Sequence, residues 1–421
     1  MRFVFALAIC VCPAVAWAQS VPAELSLRQA LDLAVQRNPT LAASAEGIAA
    51  AQGGVVTAKQ RPNPAVTVET SGPSFLKPSP PIDQHEFSAR IDQEIEIGAR
   101  RTLRTQVAEL GVAVANADVA NVRRQLELQV RRAYFAVVLT VANRQAAQEA
   151  LEEIDRVIAL NRARLDQGEI SGAELRRIQV ERLKFQDDVF SSELALRNAQ
   201  SALLAILNMP DLRQVFRTTD DLSTMDPAEA TALAAAAPLA TNIAQEALAQ
   251  RPDVEGARVR VQQADTATRL QGALRTPFPT VGGGYRHDAG QASAIIGVTI
   301  PLPLFNRNRG EVLKAQAEGR QRQFEATAIE REASLEIRQA LNAVEINRER
   351  VSYIGGQYLT AARESRDVTL ASYRLGAANL IDFLDAQRAF RDTLRTYNQA
   401  LFEQRLGAAS LIAALGIGLE R

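Results

Sequence analysis

The sequence predicts a mainly α-helical fold made of two copies of one unit, in which each copy adds a β-hairpin to a membrane β-barrel. A long internal repeat, short alternating segments and two very long helical stretches support this fold class. In the repeat, Leu165–Gln179 matches Tyr373–Gln387, 208 positions later (376 minus 168). Each copy reads as a long helix, a tight turn and a second helix, so we expect Gly168 and Gly376 to form the turns at two hairpin tips.

Residues 1–18 have the pattern of a cleaved signal peptide. They combine a positive start, an apolar core at 3–15 and a small-x-small cleavage site at 16–18. Both cysteines, Cys10 and Cys12, lie in this segment, so the exported chain is expected to have no disulfide and no thiolate metal ligand. Neither cysteine follows a small residue, and we therefore predict no lipid anchor.

The charge balance argues against nucleic acid as a partner, because 48 basic residues face 48 acidic residues. No stretch of the mature sequence approaches the roughly 18 apolar residues of a membrane-spanning helix. An exported chain of this kind is periplasmic, secreted, or a β-barrel protein of the outer membrane.

Matching helix breakers support an internal duplication. Pro39 and Pro252 are 213 positions apart, and so are Pro64 and Pro277. Each repeat is predicted to contain a short helix, a β-hairpin, a long helix and a return helix. The predicted organisation is a signal peptide at 1–18, a first repeat at 19–208, a connecting segment at 209–241 and a second repeat at 242–421.

Alternating segments follow the helix breakers in both copies. The clearest is Phe87–Ile97, whose eleven residues alternate apolar and polar side chains and fit the roughly 9–11 residues of a tilted membrane strand. The predicted hairpins occupy about 65–97 and 278–300. An amphipathic strand on a soluble sheet would show the same alternation. The glycines at 282–284 are interpreted as a strand that packs closely or bends, because no Lys-Ser/Thr follows them as in a phosphate loop.

The polar side of the first hairpin is expected to face a water-filled lumen. A hydrated wall accounts for these charges without any role in selecting a substrate. The predicted lumen-facing residues are Arg90, Asp92, Glu94 and Glu96, with Glu69 on the partner strand.

Two stretches, about 100–167 and 308–375, read as very long helices, the second loosened at Gly355-Gly356. Roughly 67 residues at 1.5 Å each span about 100 Å. Return helices are predicted at about 171–208 and 379–415. Four strands cannot close a membrane barrel, since the smallest known type needs eight. If the hairpins are membrane strands, several identical chains must share one barrel, and their helices must form a tube.

This arrangement resembles the TolC family of outer-membrane efflux factors, and in particular its CzcC-like heavy-metal RND branch. The resemblance covers essentially the whole mature chain and is most specific in Gly297–Glu311, Gln93–Arg101 and Tyr373–Gln387. It implies a homotrimer in the outer membrane of a Gram-negative cell, with a twelve-stranded β-barrel above a periplasmic α-barrel.

The resemblance also implies function and partners. The partners would be a periplasmic membrane-fusion adaptor, an inner-membrane RND pump driven by protons, and outer-membrane lipid. The chain would be the passive exit duct for heavy-metal cations of the cobalt/zinc/cadmium type. A channel of the same fold for drug efflux or type I protein secretion is the alternative.

The second tip carries the candidate gate residues. Asp382 and Asp385 lie in the first turn of the return helix, and the resemblance implies that acidic residues here line the closed end, with Tyr373 as a tip aromatic. Acidic residues also suit any helix N-terminus, where each contributes about 0.3–1 kcal/mol. The first copy has Glu174 and two arginines in this region. We therefore expect the second copy to line the opening and the first to pack outside, available to the adaptor.

Catalysis and metal binding are not expected. The sequence has no nucleophile–base pattern, no HExxH motif and no Cys/His cluster, and its two histidines are His85 and His287. We predict no cofactor, and if metal ions are the cargo, the pump and adaptor must select them. A soluble periplasmic coiled-coil scaffold remains the other non-enzymatic interpretation.

Overall fold

The computed structural model describes residues 21–71, 86–224, 230, 248–288 and 290–416. The predicted signal peptide, His85 and much of the predicted connecting segment lie outside the described residues. Within them the chain is mainly helical, as predicted. No described helix is both long enough and apolar enough to cross a membrane.

The described residues of the first half form four helices and four strands, whose boundaries are set by prolines and polar caps. Ser26 caps α1 by a reciprocal capping box with Gln29, and Pro39 is the first residue of α2, where its missing N–H costs nothing. The elements are β1 (Glu24–Leu25), α1 (Leu27–Arg37), α2 (Pro39–Lys59), β2 (Ala65–Ser71), β3 (Glu86–Glu94), α3 (Arg100–Asp166), α4 (Gly172–Ile206) and β4 (Arg217–Thr218).

The second half follows the same order. Pro252 begins its first described long helix, as Pro39 does in the first half. The elements are α5 (Pro252–Ala273), β5 (Thr280–Asp288), β6 (Gln291–Thr299), α6 (Arg309–Tyr353), a π-helical turn (Ile354–Tyr358), α7 (Leu359–Arg374) and α8 (Leu380–Leu415). The predicted loosening at Gly355-Gly356 is confirmed, since both glycines lie in the π turn.

The described strand β3 is shorter than predicted. Phe87–Ile97 was expected to be one strand, but β3 ends at Glu94. Beyond it only Ile95 continues the pairing, by donating its N–H to the carbonyl of Pro279 at 2.9 Å. Alternation in sequence therefore extends past the last paired residue.

The chain divides into two compact units that do not follow the repeats. The first unit comprises Met1–Asn38, Leu126–Pro227 and Glu345–Ala409, and the second comprises Pro39–Gln125, Ala228–Val344 and Ser410–Arg421. Each unit takes segments from both halves of the chain. The compact units therefore do not coincide with the two predicted repeats, and the repeat boundaries stay a prediction.

Each unit has its own apolar core. In the first unit, side chains of α3, α4, α7 and α8 pack around Phe383, and in the second, α6 packs against the end of α8 around Leu411. The first unit also holds the β1–β4 pair, where Tyr134 donates its hydroxyl to Leu25 O at 2.9 Å and to Asp220. Burial, followed by the hydrogen bond with Asp220, raises the pKa of Tyr134, so this hydroxyl stays a donor at neutral pH.

Candidate functional site

The second unit carries a four-stranded antiparallel sheet with one apolar and one polar face. Its order is β2-β3-β5-β6, and the register places Val66, Ile91, Gly283 and Ile296 in one row across the sheet. Because opposite residues share a face, every second row is apolar. The large apolar residues of this face are all exposed: Val66, Val68, Phe87, Ile91, Val281, Tyr285, Ile296 and Val298.

The other face is mainly polar, although Ile295 shares the row of Arg90. Arg90 and Asp92 lie on it and form an ion pair of 2.8 Å, Glu94 follows at the end of the strand, and Glu69 pairs with Ser88 on the same face. Gln93 is one of three polar exceptions on the apolar face, together with Thr70 and His287 in the row of Phe87, and its side-chain amide donates to Pro62 O at 3.0 Å. Three of the four residues predicted to face a lumen therefore share one face.

The fourth residue, Glu96, was placed wrongly. It lies beyond β3, and its carboxylate accepts a hydrogen bond of 2.6 Å from Arg104 Nη1, with 9% of its side chain exposed. Arg104 also donates to the carbonyls of Ala58 and Gln60, where α2 ends. Glu96 thus helps to cap a helix and does not belong to the polar face of the strand.

Close packing explains the glycines at 282 and 284. A Cβ at Gly282 would overlap Asp92 Oδ1, and one at Gly284 would overlap the carbonyl oxygen of Ala89. The prediction of a closely packed strand is confirmed, because these glycines leave room for the charged residues of β3 on the polar face.

The first unit carries both hairpin tips, which have the same geometry. Gly168 and Gly376 each adopt φ of +76°, a conformation that side chains with a Cβ disfavour. In both, two backbone hydrogen bonds close the helix end, such as those from Glu169 N to Arg164 O at 2.9 Å and from Ala377 N to Ser372 O at 2.8 Å. This is the Schellman motif, in which a left-handed glycine ends a helix.

Asp382 takes part in a helix cap. Its backbone N–H donates to Asn379 Oδ1 at 3.0 Å, while its carboxylate accepts from Asn379 N at 3.4 Å. Asp385 is exposed and pairs with Arg388 at 3.2 Å. The capping interpretation of Asp382 thus has direct geometric support, and Asp385 is the acidic residue at this tip whose charge is free of backbone capping.

Tyr373 does not line an opening within this chain, because only 2% of it is exposed. Its hydroxyl donates to Asn161 Oδ1 at 2.7 Å, and its ring stacks on Phe383 with centroids 5.9 Å apart. The expectation that Tyr373 itself is a gate aromatic is corrected: it is a packing residue of the hairpin core.

Two arginines that the sequence analysis missed join the copies. Arg164 of α3 donates to the carbonyls of Tyr373 at 3.2 Å and Arg374 at 2.7 Å, which cap α7. Arg388 of α8 donates to Glu181 of α4 at 2.7 Å. The repeat could not reveal these contacts, because the aligned positions carry different residues in the two copies. Among the described residues no three His, Asp or Glu side chains gather into a metal-binding cluster.

Comparisons with known proteins agree with this architecture. The sequence model of the outer membrane efflux protein family matches residues 30–209 and 243–417. The cobalt-zinc-cadmium resistance protein CzcC of Cupriavidus metallidurans is 25% identical over 398 residues, covering 93% of this chain and 90% of that protein.

Solved structures share the fold. The outer membrane protein VceC of Vibrio cholerae is 19% identical with a TM-score of 0.77, covering 94% of this chain and 97% of its own. The open-state MtrE outer membrane channel of Neisseria gonorrhoeae is 18% identical with a TM-score of 0.78, covering 94% and 90%. The family match spans both halves of the chain, which confirms the resemblance and the predicted outer-membrane location. The chain belongs to the outer membrane efflux protein family.

Proposed function

We propose that the chain is the outer-membrane channel of a tripartite RND efflux system and the passive exit duct for heavy-metal cations. The proposed cargo rests on one observation: the chain is similar over 93% of its length to a cobalt-zinc-cadmium resistance protein, at 25% identity over 398 residues. A periplasmic membrane-fusion adaptor and a proton-driven inner-membrane pump are the proposed partners. In this arrangement the chain conducts and does not catalyse.

The two-faced sheet supports a shared membrane barrel. Its apolar face suits lipid and its polar face suits water, but four strands leave two open edges that lipid cannot satisfy. Three chains with four strands each would give the twelve-stranded barrel that the family resemblance implies. The barrel is then complete only in a homotrimer.

An exposed apolar stripe on α4 supports association of the helices. Residues at helical spacing on one face of α4 are 61–69% exposed. The exposed Asp187 on this face separates Val180 and Leu183 from Phe190 and Leu194, and exposed apolar residues that share one face of a helix typically mark a protein–protein contact. We propose that this stripe packs against a neighbouring copy in the trimer. The stripe consists of Val180, Leu183, Phe190 and Leu194.

The tips are the proposed gate. Asp385, with Asp382 beside it, would give six carboxylates around the opening of a trimer, and a ring of carboxylates favours cations. The first-copy tip at Gly168 would lie outside and be available to the adaptor. Tyr373 then acts through the hairpin core, by holding the tip in place.

A deletion strain tests the cargo. It should lose growth on zinc, cobalt or cadmium and regain it with the wild-type gene, while its tolerance of a drug panel stays unchanged. Nickel, copper and silver belong in the same panel. Sensitivity to drugs alone would favour the alternative of a drug-efflux channel, and loss of a secreted protein without metal sensitivity would favour type I secretion.

A variant separates assembly from cargo. Phe190→Asp should abolish the trimer in detergent and remove metal resistance, because a charge in the apolar stripe opposes helix packing. Glu193→Asp, on the same helix, keeps its charge and should leave both unchanged. A Phe190→Asp protein that stays trimeric would contradict the assignment of this stripe to the trimer contact.

A further inference from the structure

The apolar face of the sheet continues beyond the ends of two strands. After β6, every second residue remains apolar and exposed, at 54% for Ile300, 73% for Leu302 and 66% for Leu304, and Phe305 is fully exposed. After β3, Ile95 and Ile97 are 40% and 41% exposed. Prolines at 301 and 303 cannot donate to a neighbouring strand, and the chain bends after them, where Leu304 N donates to Leu302 O at 2.9 Å.

Both extensions lie at the same end of the sheet. Strands β3 and β6 each pair antiparallel with β5, so they run in the same direction and finish at the same end of the sheet. Strands β2 and β5 begin at this end, because each is antiparallel to β3. All four connections between the sheet and the helices therefore meet at this end.

Each connection contains an exposed arginine or leads into a helix whose first turn contains one. Within the four connections the only acidic residue is Glu96, which Arg104 already neutralises. The exposed arginines are Arg61 before β2, Arg101 after β3, Arg275 before β5, and Arg307 and Arg309 after β6.

The position of Arg101 points to an anionic ligand. Arg101 lies in the first turn of α3, where the helix dipole disfavours a cation. That turn contains no acidic residue to offset this effect, whereas the first turn of α6, which holds Arg309, contains Glu311. A bound phosphate would offset the unfavourable interaction with the helix dipole, because guanidinium groups match phosphate oxygens in a bidentate geometry.

We propose that this end of the sheet is seated in the headgroup layer of a phospholipid leaflet. The side chains of Ile95, Ile97, Leu302, Leu304 and Phe305 enter the boundary with the acyl chains, and the arginines contact lipid phosphates. This proposal depends on the proposed function, in which the sheet spans the outer membrane. A second copy of the chain is a poorer occupant, because it would bring like-charged arginines together.

Tryptophan fluorescence tests this contact. The sequence has one tryptophan, Trp17, inside the predicted signal peptide, so Phe305→Trp adds a single reporter at a fully exposed position. In proteoliposomes its emission should shift to the blue and should be quenched by phospholipids brominated near the headgroup end of the acyl chain. Emission as in water, or blue-shifted emission without quenching, would overturn the proposal, the latter because a protein surface would then cover the site.

A second reporter separates this inference from the proposed function. Val298→Trp lies on the apolar face of β6 and should be quenched most by lipids brominated deeper in the acyl chain. If neither reporter is quenched, the membrane strands of the proposed function are wrong. If only Val298→Trp is quenched, the strands stand and the headgroup contact is wrong.

The arginines are tested in the Phe305→Trp background. Arg307→Gln with Arg309→Gln should move the emission to the red and reduce quenching in vesicles that contain phosphatidylglycerol. Arg320→Gln with Arg331→Gln removes the same charge from α6 farther along the helix and should change neither. Equal emission and quenching in both double variants would overturn the role of the arginines.

Discussion

Arg388 of α8 donates to Glu181 of α4 at 2.7 Å and thereby ties the return helix of the second copy to that of the first. The same guanidinium contacts Asp385 at 3.2 Å. Burial alone raises the pKa of Glu181, but hydrogen bonds from Lys184 and Arg388 outweigh it and hold the pKa below its ordinary value. One arginine therefore both links the two hairpins and offsets the charge of the proposed gate.

Removing Arg388 should separate these two effects. Arg388→Gln leaves Asp385 without its counter-charge, so the channel should become more cation-selective in planar bilayers. The pair with Glu181 is partly exposed, so the loss of stability should be only about 0.2–1 kcal/mol. Arg156→Gln removes an equal charge from an exposed pair with Glu153 and should leave selectivity unchanged. Identical reversal potentials for both variants would show that Asp385 does not act on passing ions.

The Glu181 contact should also depend on pH. Because the folded-state pKa of Glu181 lies below its ordinary value of 4.5, the carboxylate stabilises the fold above that value. The stabilisation is lost as the pH falls through the folded-state pKa. The melting temperature of Arg388→Gln should therefore lie below that of the wild type at pH 7, and the two should converge in acid. A difference that persists unchanged in acid strong enough to protonate Glu181 in the folded protein would rule out this ion pair as its source.

The acidic tip residues can be tested with their capping role kept apart. Asp382→Asn with Asp385→Asn removes both charges but retains an oxygen that can cap the helix. We expect lower cation selectivity in planar bilayers with little change in melting temperature. Asp382→Ala should lower the melting temperature, since its carboxylate no longer accepts the hydrogen bond from Asn379 N. Unchanged conductance and selectivity in the double variant would remove the gate assignment.

Local geometry was predictable from the sequence where a residue type or a short pattern is typical of one backbone conformation. Gly168 and Gly376 were predicted to form the turns between a long helix and a return helix, and both have φ of +76°. The two-faced sheet followed from alternation. Alternation could not reveal that pairing stops at Glu94, because the apolar pattern continues into the connection.

Packing between helices was not predictable in the same way. Tyr373 stands at the tip in sequence, but which face of α7 turns inward depends on α3 and α4, which lie far away along the chain. The buried Asn161, its hydrogen-bond partner, is 212 positions away. A single sequence holds no signal for such a pair, and the functional reading of Tyr373 therefore needed the structure.

The buried pair of Tyr373 and Asn161 should behave as a coupled unit. Tyr373→Phe leaves the fully buried Asn161 Oδ1 without its donor, which should cost about 1–3 kcal/mol and lower the melting temperature. Asn161 Nδ2 already has no hydrogen-bond partner in the described structure. Tyr373→Phe with Asn161→Leu replaces both polar groups and should recover part of the loss. Strictly additive losses in this double-mutant cycle would mean that the hydrogen bond is not formed.

The tip glycines should be required for their backbone conformation alone. A Cβ at Gly376 meets nothing within 4 Å, so Gly376→Ala should destabilise the tip by about 1–2 kcal/mol through its positive φ. Gly47→Ala, in the interior of α2 with equal space around it, should instead stabilise by about 0.5–1 kcal/mol. Opposite shifts in melting temperature are expected, and a gain for both would contradict the strained turn.

The two glycines of the π turn should respond in opposite directions, although they are neighbours. A Cβ at Gly355 would lie 2.8 Å from Cε2 of Tyr397, while nothing lies within 4 Å of one at Gly356. Gly356→Ala should stabilise the fold by about 0.5–1 kcal/mol, because alanine loses less conformational entropy than glycine when the helix forms. Gly355→Ala should lower the melting temperature, because the new methyl group must push aside the ring of Tyr397, which projects from α8.

A second substitution identifies the clash as the cause. Tyr397→Leu shortens the side chain opposite Gly355, so Gly355→Ala should cost less in that background than in the wild type. The same loss in both backgrounds would mean that Gly355 is needed for the π turn itself. Since α3 runs unbroken from Arg100 to Asp166, this close contact between Gly355 and Tyr397 is a property of the second copy. Gly355→Ala should therefore weaken the packing of the π-helical turn against α8 and leave α3 and α4 unchanged. Amide hydrogen exchange should show faster exchange in the π-helical turn and α8, with no change in α3 and α4.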